Sequence, residues 1–296
     1  MILPGTHSPK KRLSLGKVDF ILLAILASLG LGLFWQIDTG SQPREWSILG
    51  QYLIRSDGGP GLLVQGLFTT IRLTIWAGPV AFILGLSAGL ARTSRYLYLR
   101  LMGATYVELC RNLPPLVLIF LCYYFLADQI APSIGLQNTL RTAPHEIKVV
   151  VEFFMGKVEQ IDVFITAAVT LGLYEGAYVA EIVRGAIQSV DSGQWEAGRA
   201  LGFPRLAQLR YIIFPQAFRN MIPALAGQGI STIKDSAIVS VVSIQELTFQ
   251  GTQLMATTYL ALEVWTCVAL LYFLLTFSCS LAAGRLEKRL RQQYST

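Results

Sequence analysis

The sequence predicts an all-α integral membrane protein with about six transmembrane helices. Three observations carry this. Hydrophobic residues make up 53% of the 296 residues and charged residues only 14%, against roughly 25% charge in an ordinary soluble domain, so the charges are too few to cover a surface facing water. Mean hydropathy is +0.51. The apolar residues also stand in continuous runs, and a bilayer core asks for about 20 of them per helix. Alternation, the sign of a membrane barrel, is missing. The same arithmetic excludes a disordered chain, collagen and a disulfide-stapled secreted domain.

Six runs can be justified in order. The first, 18–36, follows a basic tail, 1–17, that holds Lys10, Lys11, Arg12 and Lys17. A basic stretch before an apolar run is also how a cleaved signal peptide begins. This run is long for one, and no A-x-A site stands before Gln42, so a retained helix is expected. A loop, 37–60, leads to the second run, 66–91. The others are 101–127, 162–189, 222–244 and 260–284, and a basic tail, 285–296, closes the chain. Small residues recur every fourth position at Ala81, Gly85 and Gly89, and at Ala168, Gly172, Gly176 and Ala180. Such stripes let helix backbones approach closely in lipid.

Basic residues orient the spans. Sixteen of the 24 Lys and Arg fall on the ends shared by the two tails, five on the opposite ends and three (Arg72, Arg111 and Lys234) within runs. The bias places both termini in the cytoplasm. It also explains a net charge of +6 without nucleic acid as a partner. The four cysteines, at 110, 122, 267 and 279, form no C-x-x-C pair and read as small membrane residues. His7 and His145 are too scattered to hold a metal.

Catalytic patterns are missing. No H-E-x-x-H is present, and Gly16-Lys17 and Gly156-Lys157 are each followed by Val, so no P-loop exists and the chain cannot hydrolyse ATP by itself. Ser231 to Lys234 spells S-x-x-K without the S-D-N or K-T-G that serine chemistry of that kind brings with it. No cofactor is called for. What remains is a set of charges inside apolar helices, each of which needs a partner or a wet cavity. Glu108 and Arg111, and likewise Glu181 and Arg184, stand three apart and can pair along a helix face. Lys234 and Asp235 are adjacent and point apart. Glu175 has no obvious local partner. These charges can line a polar pathway or simply pair between helices, and buried Glu, Lys and Asp would also suit an ion- or proton-coupled carrier.

The segment 191–223 is polar yet helical. Asp191 can cap a helix with Gln194 three residues on, and Glu196 falls in the first turn, where the dipole favours an acid. Gly202 is suited to end that helix in the left-handed conformation, and Pro204 to start the next, which runs from Arg205 to Phe214 and stops before Pro215. The result is a short helical hairpin on the basic face, able to receive force from a soluble partner.

Glu196-Ala197-Gly198, Gly202, Ile212 and Pro215 resemble the EAA loop of bacterial ABC-importer permeases, with Gly198 and Phe214 departing from its Ala and Leu. Residues 106–114 (YVELCRNLP), 176–185 (GAYVAEIVRG), 215–219 (PQAFR) and 233–237 (IKDSA) are similar to four further stretches of the polar amino-acid branch, with Asn112 and Leu113 in place of Gly-Thr. The resemblance spans 61–284. It implies a five-helix permease core in the bacterial inner membrane, with 18–36 as an added N-terminal helix. It also implies the partners: a dimer of ATPase subunits, a second permease that is a copy or a paralogue, an extracytoplasmic binding protein that delivers an amino acid, and membrane lipid. On that resemblance the ATPase-docking residues are Glu196, Ala197, Gly198, Gly202 and Pro215, with Arg199 and Arg205 beside them, in a coupling loop over 191–215. Pathway candidates are Glu108, Arg111, Glu175, Lys234 and Asp235, and Glu181 with Arg184 is a candidate structural pair. A secondary carrier is the alternative, but it would show an inverted repeat and would leave the hairpin without a purpose.

Overall fold

The computed structural model describes residues 46–129 and 135–292, so the tail 1–17, the expected first helix 18–36 and the start of the loop 37–60 lie outside the described residues. Among the described residues the chain is helical, without named strands. Among the described residues three helices are long and apolar enough to cross a membrane: α2 (Leu62–Arg92), α7 (Ile161–Gln188, preceded by a 3-10 turn from Val158) and α11 (Ala261–Gln292).

The expected third span, 101–127, is not one rod. It divides into α3 (Leu97–Asn112) and α4 (Pro115–Gln129), bent by 117°. The cause is Pro114-Pro115. Leu113 precedes a proline and is driven to extended backbone, with φ −84° and ψ 146°, and neither proline can donate to the helix before it. The fifth expected span also differs. Its helix, α9, runs Phe214–Asp235 and passes into a 3-10 stretch, Ser236–Val242, that ends at Ser243 with φ 63°.

The central helix is α7. Its stripe of Ala168, Gly172, Gly176 and Ala180 is buried and faces α2. A Cβ on Gly172 would lie 2.6 Å from Val80 Cβ, and one on Gly85 would lie 2.4 Å from Val179 Cβ. The two stripes therefore meet, backbone to side chain, as the fourfold spacing of small residues allows. One apolar cluster joins α7 to α2 and α4 through Leu73, Leu118, Phe164 and Leu171, and continues to Val239 and Val242. A second lies where the basic end of α7 meets α9, through Val183, Ile187, Ile213 and Met221. By contrast, α11 presents Phe273, Leu274 and Phe277 half exposed, an apolar face suited to lipid.

At the end opposite the hairpin, three short helices, α1 (Trp46–Leu53), α5 (Leu136–Arg141) and α6 (His145–Met155), cover the bundle, and α10 (Leu247–Thr258) joins them. Glu246 fastens α10 in place. Its buried carboxylate accepts from the amides of Thr248 and Phe249, at 2.9 and 2.7 Å, and from the hydroxyl of Tyr272 at 2.8 Å. The Leu247 amide donates to Thr70 Oγ1 at 3.2 Å, which ties the cap to α2.

Candidate functional site

The hairpin begins with α8 (Ser192–Ala200), and the Asp191 carboxylate accepts from the Gly193 amide at 2.7 Å. Gly202 has φ 76°. Its amide donates to the Arg199 carbonyl at 2.9 Å, and the Phe203 amide donates to the Gly198 carbonyl at 3.1 Å, which is the paired bonding of a Schellman stop. A single turn, Arg205–Ala207, follows Pro204.

Beyond that turn the expectation of a helix that stops before Pro215 fails. The chain runs through a π-helical segment, Gln208–Ile213, straight into α9, with Pro215 in its first turn. A proline near a helix start loses no bond, and the wider π turn takes up the register change. The hairpin is thus continuous with the 22-residue helix α9 behind it.

Gly198 is buried, and a Cβ there would lie 3.0 Å from Gln208 Cγ and 3.2 Å from Ile212 Cδ1. This is why glycine serves where the resembled loop carries alanine. Gln208 is buried and donates to the Phe203 carbonyl at 2.7 Å, clasping the turn. Arg205 donates to the Thr93 carbonyl at the end of α2, at 3.2 Å, and lies over the Trp195 ring. It braces the hairpin against the bundle rather than standing free. Glu196, Ala197, Arg199, Gly202 and Pro215 are exposed. Leu201 and Leu206 are 74% and 76% exposed, and Tyr211 and Phe203 are exposed beside them. An apolar patch on a polar hairpin is the mark of a partner surface. These four side chains escaped the motif reading, and their signal was the apolar residues on either side of Gly202 and Pro204.

The charges within the helices separate into two groups. Glu108 and Arg111 do not pair. Arg111 lies 3.3 Å from Glu181, and Glu108 accepts from Asn112 at 2.9 Å and stands 3.9 Å from Arg92. Glu181 is a hub: it pairs with Arg184 at 2.8 Å and also with Arg92. One carboxylate thus joins α2, α3 and α7 near the hairpin. Glu108 and Arg111 stay largely exposed on the surface of this chain.

The second group lies deeper. Glu175 is wholly buried, and its Oε2 accepts from Gln228 Nε2 at 2.6 Å while its Oε1 has no partner. The Asp235 carboxyl is its neighbour across the α7–α9 contact. Lys234, next along α9, is exposed and faces away. The Tyr174 and Tyr178 hydroxyls are 3.0 Å apart, and Arg111 lies over the Tyr178 ring, so an aromatic step connects the two groups. Such an arrangement can hold a cationic group at the carboxylates but offers no nucleophile with a base beside it.

Residues 81–292 match the family of binding-protein-dependent transport system inner membrane components. The chain is 34% identical over 230 residues to the glutamine transport system permease protein of Escherichia coli (strain K12), covering 78% of this chain and 93% of that one. It is 30% identical over 231 residues to the glutamate/aspartate import permease protein of the same organism, covering 78% and 88%. Among solved structures it is similar to an amino acid ABC transporter, with TM-score 0.65 and 30% identity over 84% of this chain and all of that one. The fold is shared, at 21% identity and TM-score 0.58, with an inward-facing methionine ABC transporter over 77% of this chain and 96% of that one.

Proposed function

We propose, because this chain belongs to the family of binding-protein-dependent transport system inner membrane components, that it is the membrane-spanning permease of an ABC importer for amino acids. A separate pair of ATPase subunits would grip the hairpin 191–215, and an extracytoplasmic binding protein would load the opposite end. The single observation that carries the coupling role is the braced, exposed apolar hairpin. It is rigid within itself through the Gly202 stop and the Gln208 clasp, and it is continuous with α9, which carries Asp235 past Glu175. Movement at the hairpin would therefore reach the buried carboxylates through one helix.

The exposed Lys234 supports a second permease. A charge exposed among apolar helices needs a wet cavity or a partner, and a second subunit beside α9 would supply either. An amino acid carries a carboxylate for Arg111 or Lys234 and an ammonium for Glu175 and Asp235. The basic bias supports a hairpin on the cytoplasmic side of a bacterial inner membrane, with both termini on that side.

The test is purification of the chain from its own membranes in mild detergent, followed by reconstitution. A P-loop ATPase should co-purify, and the complex should take up a labelled amino acid only with ATP and the binding protein. Gly202→Asp should leave the complex assembled and hydrolysing ATP while uptake falls at least tenfold. There is open space around Gly202 within this chain, so the harm would arise at the partner. A chain that moves substrate in liposomes without ATP would make it a secondary carrier.

A further inference from the structure

A cavity of about 600 Å³ opens at the end opposite the hairpin, between α2, α4, the start of α7 and the segment that leads into α10. Small-molecule sites span roughly 300–1,000 Å³. Two cations, Arg72 and Lys157, line it, and among the described residues no Asp or Glu does. Among the described residues neither side chain has a hydrogen bond or an ion pair. The Arg72 guanidinium lies 3.8 Å from where a Cβ on Gly156 would stand, which brings it beside the residue that precedes Lys157. A cation set against apolar helices without a partner calls for an anion or a wet cavity.

The rest of the wall fits a polar ligand. Gln160, Ser243 and Gln245 supply neutral donors and acceptors, and the Tyr123 and Tyr124 rings close one side. Ser243 holds φ 63°, a left-handed backbone uncommon outside glycine, asparagine and aspartate, and such strain gathers at ligand sites. Val163 of the cavity wall and Glu175 lie on the same helix, about 18 Å apart at the α-helical rise. A basic site and an acidic site thus follow one another along α7.

We infer that this cavity binds the α-carboxylate of the amino acid on its way in, held by Arg72 and Lys157, before the ammonium meets Glu175 and Asp235 deeper in the bundle. The inference rests on the importer reading and names the first subsite of that pathway. Both contacts would be charge-assisted hydrogen bonds, the strong class. A zwitterion answers both sites in turn, and an amine without a carboxylate answers only the second.

The test uses the purified permease–ATPase complex without binding protein. A uniformly ¹⁴C-labelled mixture of the proteinogenic L-amino acids is equilibrated with it by dialysis, and the retained species is identified by chromatography. The expected result is saturable retention, displaced by the N-acetyl derivative of that amino acid and not by its carboxamide. Arg72→Gln and Lys157→Gln should each weaken retention at least tenfold, and Arg72→Lys should stay within about threefold, which separates charge from folding. Retention unchanged in the Arg72→Gln/Lys157→Gln double variant would overturn the inference, as would no retention by the wild type or equal displacement by the carboxamide. Displacement by phosphatidylglycerol in mixed micelles but not by the N-acetyl derivative would overturn it in favour of a lipid headgroup site. ATP-driven uptake by the same preparation, reconstituted in liposomes with the binding protein added back, reports on the importer reading alone. If no ATPase co-purifies and no label is taken up, that reading fails first.

Discussion

At the scale of single residues, the glycines at the α2–α7 contact decide whether the bundle closes. Gly85 has Val179 Cβ 2.4 Å from the place a Cβ would occupy, with the Gly176 carbonyl at 2.8 Å, whereas nothing lies within 4 Å of Gly78 on the same helix. Valine at 85 would have to push two backbones apart. Overpacking in a tight core destabilises by about 1–3 kcal/mol, and this site, where backbone is the obstacle, should fall at the upper end. Gly85→Val should therefore lower the melting temperature in detergent by several degrees, while Gly78→Ala should leave it unchanged or raise it slightly. An unchanged melt for Gly85→Val would mean that the helices do not meet along this stripe. The stripe was legible because spacing by four is a property of one helix. The partner of Glu108 was not. Position i+3 offers Arg111, but Glu181 already collects Arg184 and Arg92 and draws Arg111 across to the same carboxylate. Local spacing shows which pairs can form, and tertiary placement selects among them.

At the scale of elements, the joints differ from the runs. The runs of α2, α7 and α11 were plain in the sequence because twenty apolar residues have few other uses. The bend at Pro114-Pro115 lay inside a stretch just long enough to read as one span, so length concealed what the prolines announce. Pro215 misled in the opposite direction, since a π segment before it lets the helix go on. Glu246 is a third joint, hidden because a lone Glu before an apolar run reads as a surface residue. Its carboxylate caps α10 and takes the Tyr272 hydroxyl of α11, while Thr70 of α2 meets the same cap. Removing a helix cap costs about 0.5–2 kcal/mol, while the Tyr272 hydroxyl keeps its contact with the Thr248 hydroxyl at 3.1 Å. Glu246→Ala should therefore speed hydrogen exchange at the Thr248 and Phe249 amides at least tenfold, with exchange in the middle of α7 unaltered. Glu246→Gln, which keeps one acceptor, should fall between. Unchanged exchange at both amides in the alanine variant would show that α10 is held by packing alone.

At the scale of the whole molecule, the separation of charge between the two ends favours one orientation. The hairpin end carries Arg92, Arg95, Arg100, Arg184, Arg199, Arg205, Arg210 and Arg219, and the opposite end of the described chain carries Arg55, Arg141, Lys148 and Lys157. An excess of Lys and Arg in short loops marks the cytoplasmic side. That side is also where ATP is, so the proposed docking of an ATPase on the hairpin requires the hairpin to lie there. Orientation and coupling are thus separate proposals with one shared consequence, and a single labelling experiment tests it. Cys110 is buried and the other three cysteines are partly buried, so replacing all four by Ser or Ala gives a quiet background. A single cysteine at Leu206, on the exposed hairpin, should then react with a membrane-impermeant maleimide only in inverted vesicles. One at Glu146, on α6 at the far end, should react in intact cells. The reverse pattern would place the hairpin outside, out of reach of any ATPase, and would end the coupling proposal together with the orientation. Labelling of both sites from one side would mean that α6 and α8 share a side, so that α7 does not cross the membrane despite its length.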